Sequence, residues 1–231
     1  MNKMLVAIGT LLFSLVPAMK INAQNVKSQQ PQWRPYVSIG GTYGERFNIT
    51  NIDSEKDMNL NSSGYNIRAG LVSTYLAIEM EYASLQNFKA EYTYADGGIT
   101  KSQTEFRLNA LMFNLKVGYP LVVKKQMIKP YIIAGLGMAT IDNKLSFSIA
   151  STYINGDYGF EHKSSGNNCN KVGFGLEIPV YKNKLVIFSE ISRWHLNKKG
   201  GTVSNGKGTT AEFYDLKLSM ITTVLNLKYL F

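Results

Sequence analysis

A single cysteine, Cys169, occurs in 231 residues, which excludes an intramolecular disulfide and leaves a sheet or core as the source of stability. Histidine is nearly as scarce. His162 has only Glu161 and Asp157 near it in sequence, too thin a set of ligands for a metal centre. From Trp33 onward no segment sustains a helical period, and no apolar run approaches the roughly 20 residues that a transmembrane helix needs. Phosphate-cradling loops, zinc-spaced cysteines and nucleotide fingerprints are also absent. Gly200-Gly201 and Gly206-Lys207-Gly208 belong to a polar stretch of turn-forming residues, read as a flexible loop. No cofactor and no metal are expected.

What is present begins with an export signal. Lys3 supplies positive charge, Met4 to Val16 is an apolar stretch too short to span a bilayer, and Ile21-Asn22-Ala23 ends in a small residue suited to signal peptidase. Residues 1–23 are therefore expected to be a cleaved signal peptide, leaving 24–231 as one domain. The formal charge of +9 becomes +7 once Lys3 and Lys20 leave with the signal. A basic chain raises the question of nucleic acid, but export argues against it. Anionic lipid head groups, including lipopolysaccharide phosphates, are the expected contacts.

Period-two alternation recurs through the rest of the chain. Eight runs stand out, near residues 34–45, 63–73, 74–85, 104–119, 129–141, 168–180, 184–196 and 213–231. Their connections alternate in length. Ser73-Thr74, Leu121 to Ile128 and Tyr181-Lys182-Asn183 are short, whereas Arg46 to Ser62, Gln86 to Gln103, Asp142 to Asn167 and Asn197 to Glu212 are long and polar. That sorting predicts an all-β fold, an antiparallel up-and-down transmembrane β-barrel with tight turns at one end and long loops at the other. Eight strands are expected. Ten remain open, because Lys89 to Tyr94 and Leu145 to Tyr153 have strand-like content inside long loops.

The faces agree with a lipid-facing exterior. Tyr65, Ile67, Ala69 and Leu71 alternate with Asn66, Arg68, Gly70 and Val72, and Val172, Phe174, Leu176 and Ile178 alternate with Lys171, Gly173, Gly175 and Glu177. With apolar faces outward, Arg68, Glu79, Glu81, Lys116, Glu177, Glu190 and Lys228 point inward. Burying them requires pairing, so an interior charge network of three bases and four acids is expected. Glycines such as Gly135 and Gly175 would make room for longer neighbours. The run 104–119 fits less well, since Arg107 and Asn109 share a face with Phe113 and Leu115. Either it projects beyond the membrane or a bulge near Ala110 resets its phase. Phe188 and Trp194 imply inward aromatics on the run 184–196.

The chain ends in Leu225, Leu227, Tyr229 and Phe231 alternating with Asn226 and Lys228. This terminus resembles the C-terminal signature that the barrel assembly machinery reads during insertion. Together with the signal, the strand Trp33-Arg34-Pro35-Tyr36-Val37-Ser38-Ile39-Gly40-Gly41 and the strand Lys129-Pro130-Tyr131-Ile132-Ile133-Ala134-Gly135-Leu136-Gly137, it makes the chain resemble the small outer-membrane β-barrel family of the OmpA transmembrane domain and OmpX. The resemblance implies an integral outer-membrane protein of a double-membrane bacterium, and it says little about activity. The expected role is structural or surface-interacting, through long extracellular loops that meet a ligand or partner outside the cell. A narrow porin-like channel for small solutes is the alternative.

A lipid A-modifying hydrolase is the third reading. Ser192-Arg193-Trp194-His195-Leu196-Asn197 resembles the histidine strand of outer-membrane lipid A deacylases, but Asn197 stands where that family has a serine. No catalytic residue is expected.

Overall fold

The computed structural model describes residues 32–51, 54–58, 61–92, 99–123, 126–150, 155–181, 184–204, 210–213 and 216–231. The segment read as a signal peptide lies outside them. The described residues form, in chain order, β1 (Arg34–Asn51), β2 (Ser54–Met58), β3 (Ser62–Val72), β4 (Leu76–Tyr92), β5 (Ile99–Gly118), β6 (Leu121–Val123), β7 (Gln126–Ala150), β8 (Asn155–Tyr181), β9 (Leu185–Lys198), β10 (Gly201–Ser204), β11 (Thr210–Phe213) and β12 (Leu216–Leu230).

Eight of these close into a barrel. Each long strand pairs antiparallel with the next long one, from β1 through β3, β4, β5, β7, β8 and β9 to β12, and β12 returns to β1 from Tyr36 opposite Leu230 to Thr50 opposite Lys217. Closure removes the unpaired edges that an open sheet would expose. The strand-like segments that left ten strands open prolong existing hairpins. Lys89 pairs with Glu105, and Leu145 pairs with Phe160. The stretch Asp142 to Asn167, expected as a loop, is thus largely paired backbone of β7 and β8. The glycine-rich stretch near Gly201, expected to be flexible, holds the β10–β11 hairpin.

Alternation decides what faces lipid. Ile39, Phe113, Ile132, Leu136 and Leu225 are each at least 60% exposed on the outer face. On β5 the apolar outer face runs from Leu111 through Phe113, Leu115 and Val117, and Tyr119 continues it just past the strand end. Those eight steps cover about 26 Å along an extended chain, enough for most of the outward apolar band of such a barrel once tilted. Burial alternates without a break through Ala110, and β5 stays in register with β7 there. No bulge resets the phase. Arg107 and Asn109 face outward because β5 continues above the apolar band.

Two aromatic belts bracket that band, as an interface favours. Tyr43, Tyr65 and Tyr82 lie toward the long-hairpin end, and Trp33, Tyr75, Tyr119, Tyr181, Tyr229 and Phe231 toward the short-turn end, all between 39% and 62% exposed. In such barrels the short turns are periplasmic and the long connections extracellular.

Candidate functional site

The inside of the barrel is built in layers. At the short-turn mouth Tyr36, Val72, Ala77, Val186 and Leu230 pack together. Above them, Arg68, Glu79, Glu81, Lys116 and Glu190 form one cluster, each no more than 3% exposed. Arg68 Nη1 lies 3.0 Å from Glu79 Oε1 and 2.7 Å from Glu190 Oε2, and its Nη2 lies 2.9 Å from Glu81 Oε1 and 3.2 Å from Glu190 Oε1. Lys116 Nζ sits 2.9 Å from Glu79 Oε2. Glu177 and Lys228 stand apart from that cluster and pair with each other at 2.6 Å.

Lys171, absent from the expected network, completes it. Its Nζ contacts Glu81 and lies 3.1 Å from Glu190 Oε1. With Lys171 the network holds four cations and four carboxylates, where the sequence-derived set was one cation short; Lys198, also buried, stands at the end of β9 outside that network. The central cluster alone is balanced three to three. Neutrality matters because an uncompensated buried charge costs several kcal/mol.

Polar and aromatic groups add further contacts to these charges. Asn114 Nδ2 donates to Glu79 Oε1 at 3.0 Å and to Glu81 Oε2 at 2.8 Å, Tyr131 OH donates to Glu190 Oε2 at 3.2 Å, and Tyr36 OH donates to Glu79. The ring of Phe188 lies 4.4 Å from Lys116 Nζ, 5.1 Å from the Arg68 guanidinium carbon and 5.9 Å from Lys228 Nζ. It supplies cation–π contact to three of the four cations of the network. Glycine leaves the space these groups occupy. A Cβ at Gly135 would lie 2.0 Å from Asn114 Oδ1, and one at Gly175 2.4 Å from the Tyr131 ring.

Toward the extracellular end the interior turns apolar, so that the inward Trp194 expected on the run 184–196 is joined by apolar side chains from other strands. Leu85, Phe88, Phe106, Leu108, Met112, Ile141, Trp194 and Leu196 belong to one buried cluster, with Cys169 among them. Above it Asn167 ties three strands together. Its Oδ1 accepts from Ser164 Oγ and Lys199 N, both at 2.9 Å, and its Nδ2 donates to Ala139 O at 3.1 Å and Ser164 O at 2.9 Å.

His195 faces outward on β9, and Ser192 faces inward, buried and bonded to Thr222 and Trp194. The pairing partners of His195 are Asn170 on β8 and Ser219 on β12. No hydrogen bond joins His195 to either among the described residues. The pattern along β9 could not reveal Ser219, because the neighbour comes from another strand. Leu225, Leu227, Tyr229 and Phe231 face outward, 42% to 63% exposed. Among the described residues no group of His, Cys, Asp and Glu is arranged to hold a metal.

A closed antiparallel barrel with an apolar exterior, two aromatic belts and a charge-balanced network inside it is a membrane-spanning barrel of the bacterial outer-membrane type. The chain belongs to the outer membrane protein beta-barrel domain family, whose model matches residues 8–219. It is an integral outer-membrane protein.

Solved structures resemble it distantly. Neisserial surface protein A is 14% identical at a TM-score of 0.44, covering 84% of this chain and 96% of that one. Ail, the attachment invasion locus protein of Yersinia pestis, is 14% identical at a TM-score of 0.44, covering 87% and 99%. The outer membrane protease OmpT of Escherichia coli is 9% identical at a TM-score of 0.32, covering 90% and 99%. A comparison with curated proteins finds no match.

Proposed function

We propose that this protein is a structural and surface-interaction barrel that presents long extracellular hairpins on a rigid, sealed stem. The observation that carries the reading is the filled interior, in which a neutral charge cluster lies between two apolar layers. A channel needs a continuous polar lumen, and the apolar layer around Phe88, Phe106 and Trp194 argues against one. With transport set aside, what differs from a bare membrane stem is the paired backbone of β4, β5, β7 and β8 above the apolar band. Binding loops on a rigid scaffold are a common arrangement. Outer-leaflet lipopolysaccharide is the lipid expected around the stem, and the barrel assembly machinery the partner during insertion.

Replacing residues 143–162 with a two-residue turn tests the reading. The shortened protein should still insert and shift with heat on a gel, while cells displaying it lose aggregation or adhesion to protein- and polysaccharide-coated surfaces. Unchanged adhesion would overturn the role assigned to the hairpin.

A second reading, interfacial acyl hydrolysis, draws on the row Ser219, His195 and Asn170, which places a hydroxyl, an imidazole and an amide side by side on the outer face. In it His195 would take the proton of Ser219 as the hydroxyl attacks a lipid ester. Acyl release from phospholipid or lipid A that is abolished by both Ser219→Ala and His195→Ala would establish it. No release by the wild type would exclude it.

A further inference from the structure

We propose that the outer face of β9 and β12 is a fixed binding site for a phosphorylated sugar lipid, the lipopolysaccharide of the outer leaflet, centred on Arg193 and Lys217. The site rests on the reading above that lipopolysaccharide surrounds the stem, and it gives one such molecule a defined place. Inter-strand register builds it in three rows, each about 7 Å further toward the long-hairpin end. Arg193 stands between Val172 of β8 and Ile221 of β12, His195 between Asn170 and Ser219, and Asn197 beside Lys217. The side chains of Arg193, His195, Asn197 and Lys217 are all exposed on the outer face.

These two strands set no carboxylate beside their outward cations. β12 carries no Asp or Glu, and the one on β9, Glu190, is buried inside the barrel. Glu45 of β1 lies opposite Ile221, two strand spacings or roughly 10 Å from Arg193. No ion pair holds Arg193 or Lys217 among the described residues. The outer face of β5, β7 and β8 differs. There Arg107, Asp142 and Lys163 form one row and Glu105, Lys144 and Glu161 the next, so opposite signs alternate in both directions, and Lys144 is taken up by Glu161 at 2.5 Å. Cations left without a protein counter-charge on a lipid-facing surface are matched by an anionic lipid.

Depth places that anion in the head-group layer of the outer leaflet. Tyr43, in the aromatic belt of the long-hairpin end, pairs with Thr223, so the row of Arg193 and Ile221 is the next one out. A guanidinium flanked by Val172 and Ile221 is costly unless it reaches polar surroundings. Arg193 reaches them by turning along the strand, and its Nη2 donates to Ser219 Oγ at 3.5 Å, one row nearer the extracellular end. That contact leaves most of its N–H donors for a phosphate, which a guanidinium can bind through two parallel hydrogen bonds. Lys217 supplies the second charge, and the amides of Asn170 and Asn197 with the imidazole of His195 offer neutral partners for sugar hydroxyls between them. The three rows run about 14 Å along the strands, a length that suits a phosphorylated disaccharide and exceeds a phospholipid head group.

The folded protein in detergent is titrated with diphosphoryl lipid A and, in parallel, with the same lipid stripped of its phosphates and with phosphatidylglycerol, and bound lipid is read by native mass spectrometry. The wild type should hold the diphosphoryl lipid more tightly than either of the others. Each cation near an anionic partner is worth roughly fivefold, so Arg193→Gln/Lys217→Gln should weaken that binding about 10- to 30-fold. Removing charge from the lipid face leaves the barrel able to fold, which heat-dependent gel migration checks. Arg34→Gln/Lys184→Gln takes the same charge from the short-turn end and should stay within about twofold of the wild type. Undiminished binding by Arg193→Gln/Lys217→Gln overturns the site while leaving lipopolysaccharide as the surrounding lipid, and phosphatidylglycerol bound as tightly as diphosphoryl lipid A overturns it as well. Failure of the wild type to bind lipid A overturns both the site and the reading it rests on. The bound lipid should keep its full mass; loss of an acyl chain would make it a substrate of His195 and Ser219 and overturn its role as a resident lipid.

Discussion

Arg68 is the residue whose loss should be felt most. Its guanidinium lies within 3.2 Å of Glu79, Glu81 and Glu190, all buried. Arg68→Met removes those contacts and leaves three carboxylates facing Lys116 and Lys171, one negative charge uncompensated inside the membrane. Breaking a buried pair by removing one partner costs about 3–5 kcal/mol, and the balanced starting cluster places the change within that range. Arg68→Met/Glu190→Gln restores neutrality, so its cost should fall below the sum of the two single changes by roughly 2–3 kcal/mol. Urea titration in lipid vesicles measures both effects, read by Trp194 fluorescence and by heat-dependent gel migration. Trp194 is a suitable reporter because its ring lies 5.5 Å from Lys171 Nζ. A loss below about 1 kcal/mol for Arg68→Met, well under the range for a broken buried pair, would refute the reasoning. Additive single changes would show that charge balance is not what the cluster provides.

The remaining expectations follow from facing and space. Phe113→Arg, on the lipid face in the middle of the β5 band, should cost about 2–4 kcal/mol, while Ser146→Arg, outward but above the band, should cost little; equal effects in vesicle unfolding would contradict the assigned membrane boundary. Gly135→Ala drives a methyl group against Asn114 Oδ1 and should cost about 1–3 kcal/mol, whereas Gly41→Ala meets open space and should be nearly neutral. Replacing Tyr229 and Phe231 together with Ala should lower the fraction inserted in cells, measured as heat-modifiable protein in the outer-membrane fraction. Full insertion would remove the assembly role from that terminus.

The strands and their lipid face were legible because period two is local. Tyr65 to Leu71 shows its outer face without reference to another strand, and length alternation among the connections reveals which end carries the turns. The interior was less so. Lys171 meets Glu81 from 90 residues away, and only inter-strand register brings such groups together. The apolar layer was hidden for a different reason. In Leu108-Asn109-Ala110-Leu111-Met112-Phe113 both faces are largely apolar, so alternation cannot say that Met112 packs inside while Phe113 meets lipid. Backbone pairing likewise turned the expected loop Asp142 to Asn167 into a hairpin, since charged residues such as Lys144 and Glu161, 2.5 Å apart across β7 and β8, look like loop residues in sequence and serve as cross-strand pairs in the fold.

Single-channel recording of the refolded protein in planar bilayers tests the sealed interior most directly. A membrane holding verified, folded barrels should stay electrically silent across the voltage range if the charge cluster and the apolar layers seal the barrel as proposed. Uniform, reproducible conductance steps from the wild-type protein would contradict that and make the barrel a channel.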